Sequence, residues 1–149
     1  MLVMEVLIHH IDTLRYLLGP LMLLAAELER NCPAIRGEDW AELSLQSANG
    51  ATVTVGGDFS AEDAPPEQRD SLKISGTAGS ILLEADQLTL QGRTQQNIRL
   101  DLVANYSASY RAAIAHFVDR LEDGREFETG TQDNLETLRI VEAAYVSAT

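Results

Sequence analysis

Helix-forming and strand-forming segments occupy separate blocks of this 149-residue chain, and their order restricts the fold more than any other feature. Residues 4–18 have apolar side chains at helical spacing and end at Gly19-Pro20, a common helix stop. Short segments that alternate apolar and polar residues fill the middle, and helical spacing returns after residue 110. Such blocks are typical of α+β proteins. We predict a mainly antiparallel open sheet with helices packed on one face.

A β-hairpin is the clearest strand signal. Asn49-Gly50 separates two alternating segments, 40–47 and 51–56, and this dipeptide favours the tight turns that join antiparallel strands. Further strands are predicted within 21–32 and near 71–75, 79–84, 87–91 and 96–102, and residues 60–70 are predicted to form an exposed loop.

The predicted hairpin has one apolar and one polar face, because alternate side chains point to opposite sides of a strand. We expect helices to cover the apolar face and a second copy of the chain to meet the polar face, which predicts a homo-oligomer. The apolar face holds Leu43, Leu45, Val53 and Val55, and the polar face holds Ser44, Gln46, Thr52 and Thr54.

Two helices are predicted at the C-terminal end. Apolar residues from Tyr110 to Leu121 recur at helical spacing, and Asp123-Gly124 ends the pattern. The second helix begins within 130–136, where Asp133 and Glu136 have the spacing of a capping box.

Charge and composition exclude several functions. The chain has 11 Lys and Arg against 23 Asp and Glu, a net charge of −12 that repels phosphate backbones and disfavours nucleic-acid binding. No apolar segment approaches the ~18 residues of a membrane span, and the first residues lack the pattern of a secretory signal. Cys32 is the single cysteine, which excludes an internal disulfide and a multi-cysteine zinc site and suits a cytoplasmic location.

The first predicted helix carries a polar stripe of Glu5, His9, Asp12 and Tyr16. Glu5 lies one turn before His9, so its carboxylate can orient the imidazole as a general base for an alcohol proton. Spacing alone favours a second interpretation, a solvated helix face, and it leaves Asp12 equally suited to bind substrate hydroxyls or to solvate the helix. A metal-dependent hydrolase is the weakest alternative. His9 and His10 diverge by ~100° on a helix, and His-Glu-x-x-His is absent, so we predict no metal site.

Two glycine-rich segments, 55–57 and 76–80, do not have the spacing of a nucleotide-binding loop, and neither precedes a predicted helix. Strand turns explain them better. The chain alone therefore shows no dinucleotide-binding motif.

Residues 5–19, EVLIHHIDTLRYLLG, resemble the helix of the Gfo/Idh/MocA oxidoreductases, written Asp-x-Gly-x-His-x-x-Asp followed by six residues and Gly. Residues 74–83, ISGTAGSILL, are similar to the sheet hairpin of that family. Residues 117–125 and 133–148 are similar to its C-terminal pair of helices. The resemblance runs from about residue 4 to residue 148, and three segments in the right order make it specific.

The resemblance implies a fold and a role. Members join a Rossmann domain that binds NAD or NADP to a C-terminal α+β domain that binds substrate and often mediates oligomers. We therefore expect residues 1–149 to form a single substrate and oligomerisation domain, with the Rossmann domain absent from this chain. NAD or NADP is expected in the full-length protein and no cofactor on this chain. The expected substrate is a small polyhydroxylated molecule such as a sugar, cyclitol or related polyol.

The resemblance also implies site residues. His9 matches the catalytic acid/base and Glu5 the carboxylate that assists it. From their positions on the same helix, rather than from the resemblance, we expect Asp12 and His10 to bind substrate. Glu5 replaces the usual aspartate, and Leu7 stands where glycine is usual. A lysine in a Glu-Lys-Pro segment of the Rossmann domain normally shares the catalytic work. The alternative function is a stand-alone, non-catalytic module that binds a small ligand or assembles through its sheet.

Overall fold

The structure, a computed structural model, describes residues 1–61 and 69–148. The predicted loop at 60–70 lies largely outside the described residues. The chain divides into two compact units, one formed by Met1–Ala64 with Glu128–Thr149 and the other by Pro65–Phe127. Both contain antiparallel sheet and helix, so the predicted α+β class is confirmed. Among the described helices, none is long and apolar enough to cross a membrane.

The first unit contains a three-stranded antiparallel sheet in the order β1-β2-β3. The predicted hairpin is confirmed as β2 and β3, joined through Gly50 at a φ of +87° that favours glycine. A π-helical turn, Val3–Leu7, leads directly into the first α-helix. The elements of this unit are α1 (Ile8–Leu18), β1 (Leu21–Glu29), β2 (Trp40–Ser47), β3 (Thr52–Asp58) and α3 (Thr131–Ser147).

The core of the first unit lies on the predicted apolar face of its sheet. Leu43 and Leu45 are 0% and 1% exposed, and Val53 and Val55 beside them are also buried. Helix α3 packs on β1 and on α1, which places its buried residues in the same core. The π-helical turn covers β3 so closely that a Cβ on Gly57 would lie 3.3 Å from methyl carbons of the buried residues Leu2 and Leu7.

Two buried carboxylates connect the elements of the first unit. Asp39 accepts backbone hydrogen bonds from Asn31 and Cys32 at 2.7 and 2.6 Å, and these donors hold the pKa of Asp39 below its usual range. Glu38 accepts from the backbone nitrogen of Val3 at 3.0 Å and from the Tyr145 hydroxyl at 2.6 Å. Burial and this hydrogen bond raise the pKa of Tyr145. Glu38 thereby links the turn before α1 to α3.

The second unit contains a four-stranded antiparallel sheet in the order β4-β5-β6-β7, followed by one helix. The strands predicted in this part of the chain are confirmed, and the last of them ends at Arg99. The helix ends at Gly124 as predicted but begins well before residue 110, because Asp101 caps it by accepting from the Ala104 nitrogen at 3.0 Å. The elements are β4 (Ser71–Gly76), β5 (Gly79–Glu84), β6 (Gln87–Gln91), β7 (Gln95–Arg99) and α2 (Leu102–Asp123).

Candidate functional site

The polar stripe predicted on the first helix faces solvent. His9 and Tyr16 are exposed on α1 and Asp12 is half-buried, while Ile11 and Leu14 on the other side of the helix are buried. The amphipathic pattern therefore fixes which side of α1 a ligand can reach.

The hydrogen bond that one-turn spacing allows between Glu5 and His9 is not formed. The Glu5 side chain is 69% exposed, and its carboxylate lies 3.5 Å from the α-amino nitrogen of Met1. Within the described part of the chain, no hydrogen bond or ion pair links Glu5 to His9. Both side chains are open to water, which competes for their hydrogen bonds, so one-turn spacing alone does not pair them. Their catalytic roles stay predictions.

His10 has a different environment from His9. Its imidazole is half-buried, and Nδ1 lies 3.2 Å from the Val6 carbonyl oxygen of the preceding turn. The described residues contain no group of three His, Cys, Asp or Glu side chains arranged to hold a metal ion.

Arg15 is the centre of a polar network between α1 and α3. Its side chain is 11% exposed, and its guanidinium donates to the Asp133 carbonyl at 3.1 Å and to the Asp133 carboxylate at 2.8 Å. The guanidinium also donates to the Thr137 hydroxyl at 2.7 Å. These charge-assisted bonds hold the two helices together.

The network fixes Asp12. The buried hydroxyl of Thr137 accepts from Arg15 and donates its single proton to Oδ1 of Asp12 at 2.8 Å. The Arg15 guanidinium also lies 3.6 Å from the same oxygen. Asp12 is therefore held as an acceptor, with its other oxygen left for a further partner.

A cavity of about 340 Å³ lies beside this carboxylate, within the first unit. The volume suits a small ligand, and charged side chains such as those of Asp12, Arg15 and Asp133 form part of a wall that is otherwise largely apolar. Of the four residues predicted for the site, the structure brings Asp12 to this cavity and leaves Glu5, His9 and His10 outside its lining. The lining includes Asp12, Arg15, Tyr16, Gly19, Thr129 and Asp133.

We predict that Thr137→Val destabilises the protein by about 1–3 kcal/mol, since it removes the buried hydroxyl that joins Arg15 to Asp12. Urea unfolding measures this loss. Thr13→Val on α1 is the matched control, because the Thr13 hydroxyl is exposed and bonds only within its own helix, to the His9 carbonyl. Equal effects of the two substitutions would show that the network adds nothing to stability.

Sequence reasoning missed this network. The predicted capping box at Asp133 is wrong, because α3 begins at Thr131, its N-cap is Gly130, and the Asp133 carboxylate binds Arg15 instead. One signal was present in the sequence: Arg15 lies three residues after Asp12 on the same helix. The contact to Thr137 spans most of the chain and has no local signature.

The glycine-rich segment at 76–80 is a strand turn, as predicted. A Cβ on Gly79 would lie 2.0 Å from the Gln91 carbonyl oxygen and 2.9 Å from the Gly92 Cα. Glycine is required there because neighbouring backbone approaches closely.

Comparison with known proteins identifies the domain. The profile of the family described as "Oxidoreductase family, C-terminal alpha/beta domain" matches residues 1–149. Among curated proteins, the chain is 35% identical to a D-apiose dehydrogenase of Rhizobium rhizogenes and 32% identical to one of Paraburkholderia graminis. Each match covers 95% of this chain, but only 44% and 41% of the respective relatives. The chain thus spans less than half the length of these relatives.

A solved structure agrees with these matches. It is an oxidoreductase from Agrobacterium radiobacter in complex with NAD+, L-tartaric acid and magnesium, 32% identical to this chain with a TM-score of 0.86. The match covers 98% of this chain and 46% of that protein. The fold, the order of elements and the family profile agree, and the chain therefore belongs to the C-terminal domain family of the Gfo/Idh/MocA oxidoreductases.

Proposed function

We propose that this chain is the substrate-binding part of an NAD(P)-dependent dehydrogenase that acts on a small hydroxyl-bearing molecule. The observation that supports this most directly is the Asp12 carboxylate, which Thr137 and Arg15 hold at the edge of a cavity on the helix that also carries His9. A carboxylate with one fixed and one available oxygen suits the recognition of a sugar or polyol hydroxyl.

His9 is proposed to move the hydroxyl proton. Its exposed imidazole can approach a substrate, and a histidine is the commonest general base for such a proton. The nicotinamide, held by a dinucleotide-binding domain of the longer protein, would supply the hydride chemistry. Glu5 is proposed to assist His9 once a bound substrate shields both side chains from water, because a carboxylate beside an imidazole favours its protonated form.

His10 and Asp12 are proposed to bind substrate hydroxyls from neighbouring positions of α1. His10 is half-buried on α1, directly beside His9 in the sequence. D-apiose is the first substrate to test, because the two curated relatives are D-apiose dehydrogenases. Tartrate is the second, from the complex with the Agrobacterium protein.

The polar face of the β1–β3 sheet is proposed to contact a second copy of the chain. Thr52 and Thr54 are exposed there, and Ser44 and Gln46 are half-buried, which suits a polar interface. A Thr54→Arg variant that sediments like the unaltered chain would exclude this surface.

A chimaera tests the proposed activity. Residues 1–149 replace the matching segment of the Rhizobium D-apiose dehydrogenase, which then supplies the remainder of a dehydrogenase. We expect NAD(P)-linked oxidation of D-apiose, tartrate or another member of a panel of sugars, cyclitols and hydroxy acids. Absorbance of the reduced nicotinamide measures it, and the unaltered Rhizobium protein is the positive control.

The isolated chain provides the second measurement. We expect it to bind NAD(P) weakly or not at all, because its glycine-rich segment is a strand turn. A folded chimaera that binds NAD(P) but oxidises nothing in the panel would contradict the dehydrogenase proposal. It would favour the non-catalytic binding module.

A further inference from the structure

The second unit has a sheet with an apolar face but no core. Among its described residues, 69–127, none is buried. Cross-strand pairing places seven aliphatic side chains on one face of the β4–β7 sheet, and a sheet of this kind needs a covering layer to be stable. These side chains are Leu72, Ile74, Ile81, Leu83, Leu88, Leu90 and Ile98.

Helix α2 carries the complementary surface. Six large apolar side chains recur three or four residues apart along its whole length, and each is more than half exposed. They include Tyr106 and Tyr110, whose ring centroids lie 4.9 Å apart. The stripe consists of Val103 (81% exposed), Tyr106 (65%), Tyr110 (58%), Ile114 (64%), Phe117 (53%) and Leu121 (63%).

The connection between sheet and helix is short, and α2 does not pack on its own sheet. Only Leu100 and Asp101 join β7 to α2. The Leu100 nitrogen donates to the Asp86 carbonyl at 2.8 Å, and the Asp101 carboxylate caps the helix. A two-residue connection held at both ends fixes the direction in which α2 leaves the sheet. Short hinges of this kind favour the exchange of an element between copies.

We propose that two copies of the chain exchange α2, so that the helix of each copy packs on the apolar β4–β7 face of the other. The arrangement is self-complementary, because every copy supplies one helix stripe that needs a sheet and one sheet face that needs a helix. A two-fold axis makes both contacts at once. Each second unit then gains the helix-on-sheet layering that a stable α+β unit requires.

The dimensions fit. The stripe from Val103 to Leu121 rises about 27 Å along the helix. Strands of five or six residues are about 17–20 Å long, and four of them span about 14 Å, so the diagonal of the sheet, about 22–24 Å, accommodates most of the stripe. Each chain contributes 13 large apolar side chains to the two contacts. The surface area that the two contacts bury together is therefore of the order of the ~1,600 Å² of a standard stable interface.

The charges also permit the contact. Alternate residues of a strand face opposite sides of the sheet, and Lys73 and Glu84 alternate with the aliphatic residues of their strands. Both therefore point to the opposite side from the aliphatic face. The charged residues of α2 do not belong to its stripe, so the exchange buries no charge. Another domain of the longer protein would have to supply both a helix and a sheet face to satisfy the same two surfaces.

Sedimentation of the full chain tests the proposal with a matched pair of variants. Ile114→Asp places a carboxylate in the stripe, whereas Ala112→Asp places it on the opposite side of α2. We expect a dimer whose dissociation constant rises at least about tenfold with Ile114→Asp, since the carboxylate is buried without a partner, and little with Ala112→Asp. A monomeric chain, or a dimer that Ile114→Asp leaves unchanged, would overturn the exchange. The latter result would assign the dimer to the polar face of the β1–β3 sheet.

A measurement without a disruptive charge distinguishes exchange from intrachain packing. A nitroxide is attached at Ser107→Cys, beside the stripe, in a chain whose Cys32 is replaced by serine. This chain is mixed with a methyl-labelled copy that carries no nitroxide. We expect broadening of the Ile81 and Leu90 methyl signals in the labelled copy. A second sample carries the nitroxide and the methyl label on the same chain. Broadening in that sample but not in the mixture would show that α2 covers its own sheet and would overturn the proposal.

Discussion

His9→Ala in the chimaera is expected to reduce kcat by about 10²–10⁴-fold, the usual contribution of a positioned general base. His9 is exposed on α1, so its loss leaves no cavity and the free energy of unfolding should change by less than about 0.5 kcal/mol. The affinity for NAD(P) should also stay the same, because the cofactor is proposed to bind to the other domain. Steady-state kinetics, urea unfolding and cofactor titration measure the three quantities.

The matched control for His9 is His116→Ala, which removes the histidine of α2, in the second unit. It should leave kcat within about threefold, since no proposed catalytic step involves it. Retention of full activity by His9→Ala would show that another group takes the hydroxyl proton. Loss of activity together with stability would show that His9 acts through the fold.

The hairpin shows what local sequence can predict. Asn49-Gly50 determines the position of the turn, and the turn determines the register of the two strands. Leu43 and Val55 are therefore predicted to lie opposite each other on the same side of the sheet, as observed. Burial of that face required no knowledge of distant residues, because an apolar strand face has to be covered.

The candidate site was less predictable, because its geometry depends on contacts between distant segments. Spacing on α1 allowed Glu5 to pair with His9 but favoured a solvated helix face. Exposed pairs on a helix gain little in water, and the structure leaves the two side chains apart. The residue that the fold does position is Asp12, through Thr137 on a helix more than a hundred residues later. A single sequence contains no periodic signal for such a contact.

Helix α2 shows a third case. Its apolar stripe was correctly read as one face of a helix, and the usual inference is that such a face lies in the core of its own chain. The stripe is exposed in this chain. Periodicity identifies a helix face that needs a covering layer, but it does not identify the molecule that supplies that layer.

Leu43→Ala is expected to destabilise the protein by about 2–5 kcal/mol, the range for a buried leucine whose removal leaves a cavity. Leu43 is 0% exposed on the central strand β2, between Ala26 and Val55, so no side chain can move in from an edge. Urea unfolding at one fixed protein concentration measures the loss, because any contribution from dimerisation is then the same for each variant that dimerises equally.

Leu24→Ala is the matched control for Leu43, because it deletes the same atoms from the same sheet. Leu24 is 53% exposed and lies at the irregularity in β1 where the register with β2 shifts. Its substitution should change the free energy of unfolding by less than about 0.5 kcal/mol. A Leu43→Ala loss confined to the unfolding of the first unit would show that the two units unfold separately. Similar small effects of both substitutions would mean that the β1–β3 sheet is not the core on which the candidate site rests.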